Sequence, residues 1–127
     1  MNNNGEIKKF KKRAFANISN NYHCNLFLAS IIAKFTHNDS YYRYKCYKYL
    51  RKYMSGGNII RRLFNYRNYS KYAHKINVQL ICKYIGSNFY FEHGDIVINK
   101  SSVIGDNVRL VGNNCIGGEK WCPYPYE

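Results

Sequence analysis

Few side chains in this sequence have the type and spacing to do chemistry. The five cysteines are Cys24, Cys46, Cys82, Cys115 and Cys122, an odd number with no CxxC pair and no secretory leader ahead of them. Zinc needs closely spaced pairs of thiolate or imidazole ligands, and His23 beside Cys24 is adjacent rather than spaced for ligation. Reduced thiols and no metal site are therefore expected. His93 stands in Phe91-Glu92-His93-Gly94, a titratable pair against a glycine. On the residue alone it reads as a surface turn histidine.

The elements that would position His93 follow from two periodicities. Residues 25–35 hold an apolar run, Leu26-Phe27-Leu28-Ala29-Ser30-Ile31-Ile32-Ala33, that suits a buried helix and falls far short of the ~20 residues a bilayer span requires. Asn38-Asp39-Ser40 supplies N-cap oxygens for a second helix over 41–54. Its apolar face is expected to be Tyr42, Cys46, Tyr49, Leu50 and Tyr53, with Arg43, Lys45, Lys48, Arg51 and Lys52 mostly on the other side. Ser55-Gly56-Gly57-Asn58 ends it, and a third helix over 59–72 follows. Packing is expected through Leu28, Ile32, Tyr42, Tyr49, Leu50, Leu63 and Phe64, with the lysines and arginines solvated. Residues 1–13 read as a frayed basic lead-in.

Beyond Lys75 the spacing changes. Ile98, Ile104, Leu110 and Ile116 recur every six residues, and Ile85-Gly86 with Phe91 gives one more pair upstream. Neither a helix nor a strand alternation has this period, whereas one side of a triangular β-solenoid does. The expected fold class is thus α+β: an N-terminal helical segment followed by the first coils of a left-handed parallel β-helix, a hexapeptide-repeat solenoid. The expected division is a basic helical lead-in over 1–76, a partial β-helix over 77–118 and an irregular tail over 119–127. Asn99, Lys100, Asp106 and Arg109 are placed outside the coil, and Trp121, Tyr124 and Tyr126 over its open end.

Ile85-Gly86, Phe91-Glu92-His93-Gly94, Ile96-Val97-Ile98 and Val103-Ile104-Gly105-Asp106-Asn107-Val108 together resemble the opening of the serine O-acetyltransferase family, in the branch found with exopolysaccharide and capsule clusters. The basic tyrosine-rich helices upstream are similar to that family's helical lead-in, and the likeness covers about residues 30–118. The resemblance implies acetyl-CoA-dependent transfer to a hydroxyl, of serine or of a sugar, in a homotrimer. It implies His93 as the general base, a role suited to an imidazole with a free pKa of ~6.5. It implies Glu92 as the group that holds the amino end of a serine-like acceptor. The residues that would hold acetyl-CoA are left open. The loop after His93 is one residue shorter than the family's, and Asn77-Val78-Gln79 supplies no carboxylate to orient the imidazole. No hexad follows Gly118. The sequence reading is therefore of a truncated member with weak activity or none.

Charge gives the alternative. Residues 1–84 hold 17 of the 20 lysines and arginines and only Glu6 and Asp39 as acids, a net of +15, while the remainder carries −2. Eleven of the fourteen tyrosines lie within residues 1–84. A basic module without catalysis, binding nucleic acid or an anionic membrane surface, is the rival reading. Nucleic acid is the weaker of the two, because no recognition motif is present. The expected location is cytoplasmic, with a peripheral place at the inner face of the plasma membrane.

Overall fold

The computed structural model describes residues 3–117. The elements run α1 (Asn3–Ala14), α2 (Ala16–Tyr22), α3 (Leu26–Phe35), α4 (Asp39–Met54), α5 (Ile59–Ile76), then β1 (Val78–Gln79), β2 (Tyr84–Ile85), β3 (Tyr90–Phe91), β4 (Ile96–Ile98), β5 (Val103–Ile104), β6 (Arg109–Leu110) and β7 (Asn114–Ile116). No helix among the described residues is long and apolar enough to cross a membrane.

Asparagines set the helix boundaries. The side chains of Asn25, Asn38 and Asn58 accept from the backbone N–H of Leu28, Ser40 and Arg61, at the starts of α3, α4 and α5. Each thereby satisfies a donor that has no partner inside its helix. Asn77 ends α5 in the left-handed region at φ 56°, which asparagine tolerates better than most residues.

The expected frayed start is corrected. Residues 3–14 form α1, and its Ile7, Phe10 and Ala14 are buried together with Phe15 of the α1–α2 junction. Phe10 stacks on Tyr47 of α4 at 4.3 Å and meets Tyr90 and Phe91 of β3 at 4.9 and 5.2 Å. Such pairs add ~0.5–1.5 kcal/mol beyond their buried area. A segment with this anchor is held by tertiary packing, whatever its polar helix propensity.

The expected face of α4 is also corrected. The buried positions are Ser40, Arg43, Tyr44, Cys46, Tyr47, Leu50 and Arg51, so the core side is rotated toward the Arg43-Tyr47-Arg51 row. Of the seven residues expected to pack the helices, Leu50 is fully buried and Ile32, Tyr42 and Tyr49 are half-buried. Leu28, Leu63 and Phe64 are exposed.

The solenoid expectation is overturned. The strands are two or three residues long and fall into three small sheets: β1-β4-β7, β2-β5 and β3-β6. All pairs are parallel, with Val78 beside Ile96, Ile85 beside Ile104, Phe91 beside Leu110 and Ile98 beside Ile116. A solenoid needs stacked repeats, each burying the face of the next. Here two of the sheets pair a strand only once, and the strands share one core with the helices. The architecture is α+β, with five helices and short parallel strand pairs, and a left-handed β-helix is not shown. The six-residue spacing instead brings buried Ile98, Ile104 and Leu110 one to each sheet, while Ile116 is half-buried. Asn99 is half-buried and Lys100, Asp106 and Arg109 are exposed. The expected cover by Trp121, Tyr124 and Tyr126 falls outside the described residues.

Candidate functional site

Strand β3 delivers the Glu92-His93 pair, and α4 fixes β3. The guanidinium of Arg43 is buried and donates to the Phe91 carbonyl at 2.9 Å, the Tyr90 hydroxyl at 2.8 Å, Ser40 Oγ at 3.0 Å and Asp39 Oδ2 at 2.9 Å. Two turns along the same face, Arg51 donates to the Ile85 carbonyl at 2.7 Å. Hydrogen bonds from a charged donor contribute ~1.5–3 kcal/mol, more than neutral ones. The two arginines therefore join the helices to the strand ends. Both were expected on the solvated side. Their spacing of eight, with Tyr47 midway, is the sequence signal that marks one helical face.

The turn after His93 is pinned from both sides. A Cβ on Gly94 would lie 1.9 Å from the Ile76 carbonyl oxygen, so only glycine lets this backbone meet the end of α5. The same carbonyl accepts from the Asp95 N–H at 3.2 Å, and Asn77 Nδ2 donates to Asp95 Oδ1 at 2.7 Å. On the other side Gly112, at φ 130°, passes under His93, and Asn113 N–H donates to the Gly94 carbonyl at 3.4 Å. Asn77, where an orienting carboxylate is missing, thus tethers a carboxylate two residues beyond the histidine.

His93 itself is exposed, and no hydrogen bond to its ring occurs among the described residues. Glu92 is half-buried and its carboxylate is engaged by Arg109 of β6. The Arg109 hydrogen bond, followed by the charges of Arg109, His93 and Arg43, holds that carboxyl below its ordinary range. Its expected role toward an acceptor's amino group therefore meets a cation already in place. The pair spans the parallel partners β3 and β6, a neighbourhood that sequence distance conceals.

No group of three or more histidine, cysteine, aspartate or glutamate side chains among the described residues could hold a metal ion. Cys24, Cys46 and Cys82 are free thiols, and burial raises the Cys46 and Cys82 thiols above their ordinary range.

Known proteins offer no template. The chain matches no family model, no curated protein and no solved structure. The site must be read from its own geometry.

Three cavities border α5; the one at its start is lined by Arg61, Phe64 and Asn65 among others, and two lie further along the helix. One, of about 380 Å³, lies between α5 and β1 and is lined by Tyr69, His74, Asn77, Gln79 and Lys100 among others. A second, of about 400 Å³, lies between the ends of α3 and α5 and is lined by Lys34, His37, Tyr42, Lys71 and Lys75 among others. Neither is lined by His93.

Proposed function

We propose that the chain is a weakly active O-acetyltransferase of the serine acetyltransferase kind, in which His93 is the general base and acetyl-CoA the acyl donor. The observation that carries the reading is the presentation of His93: an exposed imidazole on a turn whose backbone is fixed by Gly94 against Ile76 and by Gly112 beneath the ring. A base that must meet two substrates from solvent needs that combination of access and rigid support. The reaction class rests on the resemblance of the motifs from Ile85 to Val108 alone, with no family model behind it.

In this reading the imidazole takes the proton of a serine or sugar hydroxyl as the oxygen attacks the thioester carbonyl. Collapse of the tetrahedral adduct breaks the carbon–sulfur bond. The departing thiolate of coenzyme A recovers the proton from the imidazolium, and the ester is released. Glu92, ionised and paired with Arg109, lies next to the imidazole in sequence. An ammonium-bearing acceptor competes with Arg109 for that carboxylate, so a sugar hydroxyl fits the site better than serine.

The test is release of free thiol from acetyl-CoA, measured with serine and with capsular sugars, beside a His93→Ala variant whose fold is checked by circular dichroism. Acceptor-dependent release, lost by at least about a hundredfold in the variant, is the expected result. Release that survives His93→Ala unchanged, or none above spontaneous thioester hydrolysis, overturns the reading.

A further inference from the structure

The start of α5 is a surface that folding leaves uncovered. Residues 59–64 are all exposed, and four of them are large and apolar: Ile59 at 72%, Ile60 at 77%, Leu63 at 63% and Phe64 at 60%. The core face of the same helix is Asn65, Tyr69, Ala73 and Ile76. Helical geometry at 3.6 residues per turn puts Ile60, Leu63 and Phe64 on the opposite side, in line with Arg67 and Lys71. Arg61 borders the apolar row beyond Phe64, whereas Arg62 lies on the α4 side with its guanidinium over Tyr53 at 5.5 Å. Tyr66, 46% exposed, borders it and meets Tyr53 at 5.6 Å.

The charge around this row decides what covers it. Between Asp39 and Glu92 the sequence has no acidic residue at all, and no ion pair among the described residues engages Arg61, Arg67 or Lys71. A second copy applied across a two-fold axis would bring these cations against themselves, an uncompensated repulsion at the centre of the contact. Nucleic acid would accept the arginines and leave the aliphatic side chains without a partner. An anionic lipid bilayer satisfies both groups. Ile60, Leu63 and Phe64 enter the acyl boundary, the guanidiniums meet lipid phosphates, and the tyrosines take the headgroup level. We propose that the first two turns of α5 dock this protein on an anionic membrane surface. The proposal is independent of any catalytic role for His93.

The experiment is flotation of the full chain with phosphatidylcholine vesicles, with and without phosphatidylglycerol. The variants are Leu63→Asn with Phe64→Asn, and Arg61→Gln with Arg67→Gln. Phe64 also meets the Tyr49 ring edge-on at 6.4 Å, so the thermal melt of each variant is recorded alongside and flotation is compared well below it. The wild type is expected to float only with the anionic vesicles and to be released by salt. Each double variant is expected to lose about tenfold or more in partitioning. Equal flotation with neutral vesicles overturns the proposal, as does full binding by Leu63→Asn with Phe64→Asn. A wild-type dimer in analytical ultracentrifugation that this variant abolishes points to a second copy and overturns it too. So does a single-stranded oligonucleotide that displaces the vesicles and binds both variants as well as the wild type.

Discussion

Replacing Arg43 with methionine tests how the helices hold the strand that carries His93. The substitution keeps a long apolar stem and removes the guanidinium. It deletes the bonds to Phe91 O, Tyr90 Oη, Ser40 Oγ and Asp39. Asp39 is 49% exposed and returns to water at little cost, and its exposed pairing with Arg43 counts for little. The Phe91 carbonyl belongs to a fully buried residue, and stranding a buried acceptor costs ~1–3 kcal/mol. The Tyr90 hydroxyl adds up to about 1 kcal/mol more, because it can turn partly toward solvent. Removing the desolvation cost of the guanidinium returns part of this, and a net loss of ~2–3 kcal/mol follows. Arg43→Lys is expected to recover less than half, since one ammonium cannot reach three acceptors in a planar fork. Urea unfolding followed by circular dichroism measures both, with m unchanged and the midpoint lowered. Hydrogen exchange at the Glu92 amide, which bonds to the Leu110 carbonyl at 2.9 Å, reports whether β3 loosens first. A loss under about 0.5 kcal/mol for Arg43→Met, or full recovery by lysine, would refute the assignment of Arg43 as the link.

Three further perturbations follow from the same contacts. Gly94→Ala sets a methyl against the Ile76 carbonyl and should cost ~2 kcal/mol or more, with amide shifts concentrated at Asn77 and Asp95, in a urea melt and an NMR spectrum. Tyr47→Phe removes a buried hydroxyl that lacks a hydrogen-bond partner among the described residues and whose pKa burial pushes up to about 12. That variant should be neutral or up to about 1 kcal/mol more stable, and a clear loss would mean the hydroxyl is satisfied in solution. Glu92, with its folded pKa depressed by Arg109, contributes stability above its unfolded pKa, and the contribution is lost as pH falls through the folded value. An NMR titration should find the Glu92 midpoint below the ordinary carboxylate range and return it upward in Arg109→Gln. An ordinary midpoint in the wild type would mean the pair does not form.

The sequence by itself marked the breaks on either side of α4 and the order of helices before strands, though not α1, α2 or the last turn of α5. Asn38 and the Ser55-to-Asn58 break act through local hydrogen bonds and backbone geometry, which neighbours in the chain largely decide. It also determined that Ile98, Ile104 and Leu110 would be buried, because a regular apolar spacing has few other uses. Only the tertiary structure decided which side of α4 faces inward. Tyrosines at 41, 42, 44, 47, 49 and 53 surround that helix, so amphipathicity cannot choose among its faces. The choice is made by the Phe91 and Ile85 carbonyls, which accept from Arg43 and Arg51 in the core. The same holds for α1, whose Glu6 carboxylate accepts from the Asn88 N–H at 2.7 Å across most of the chain. The Glu92–Arg109 pair and the grouping of the strands into three small sheets likewise arise from pairings between distant residues. Such contacts depend on where the chain folds back, and no local pattern encodes that.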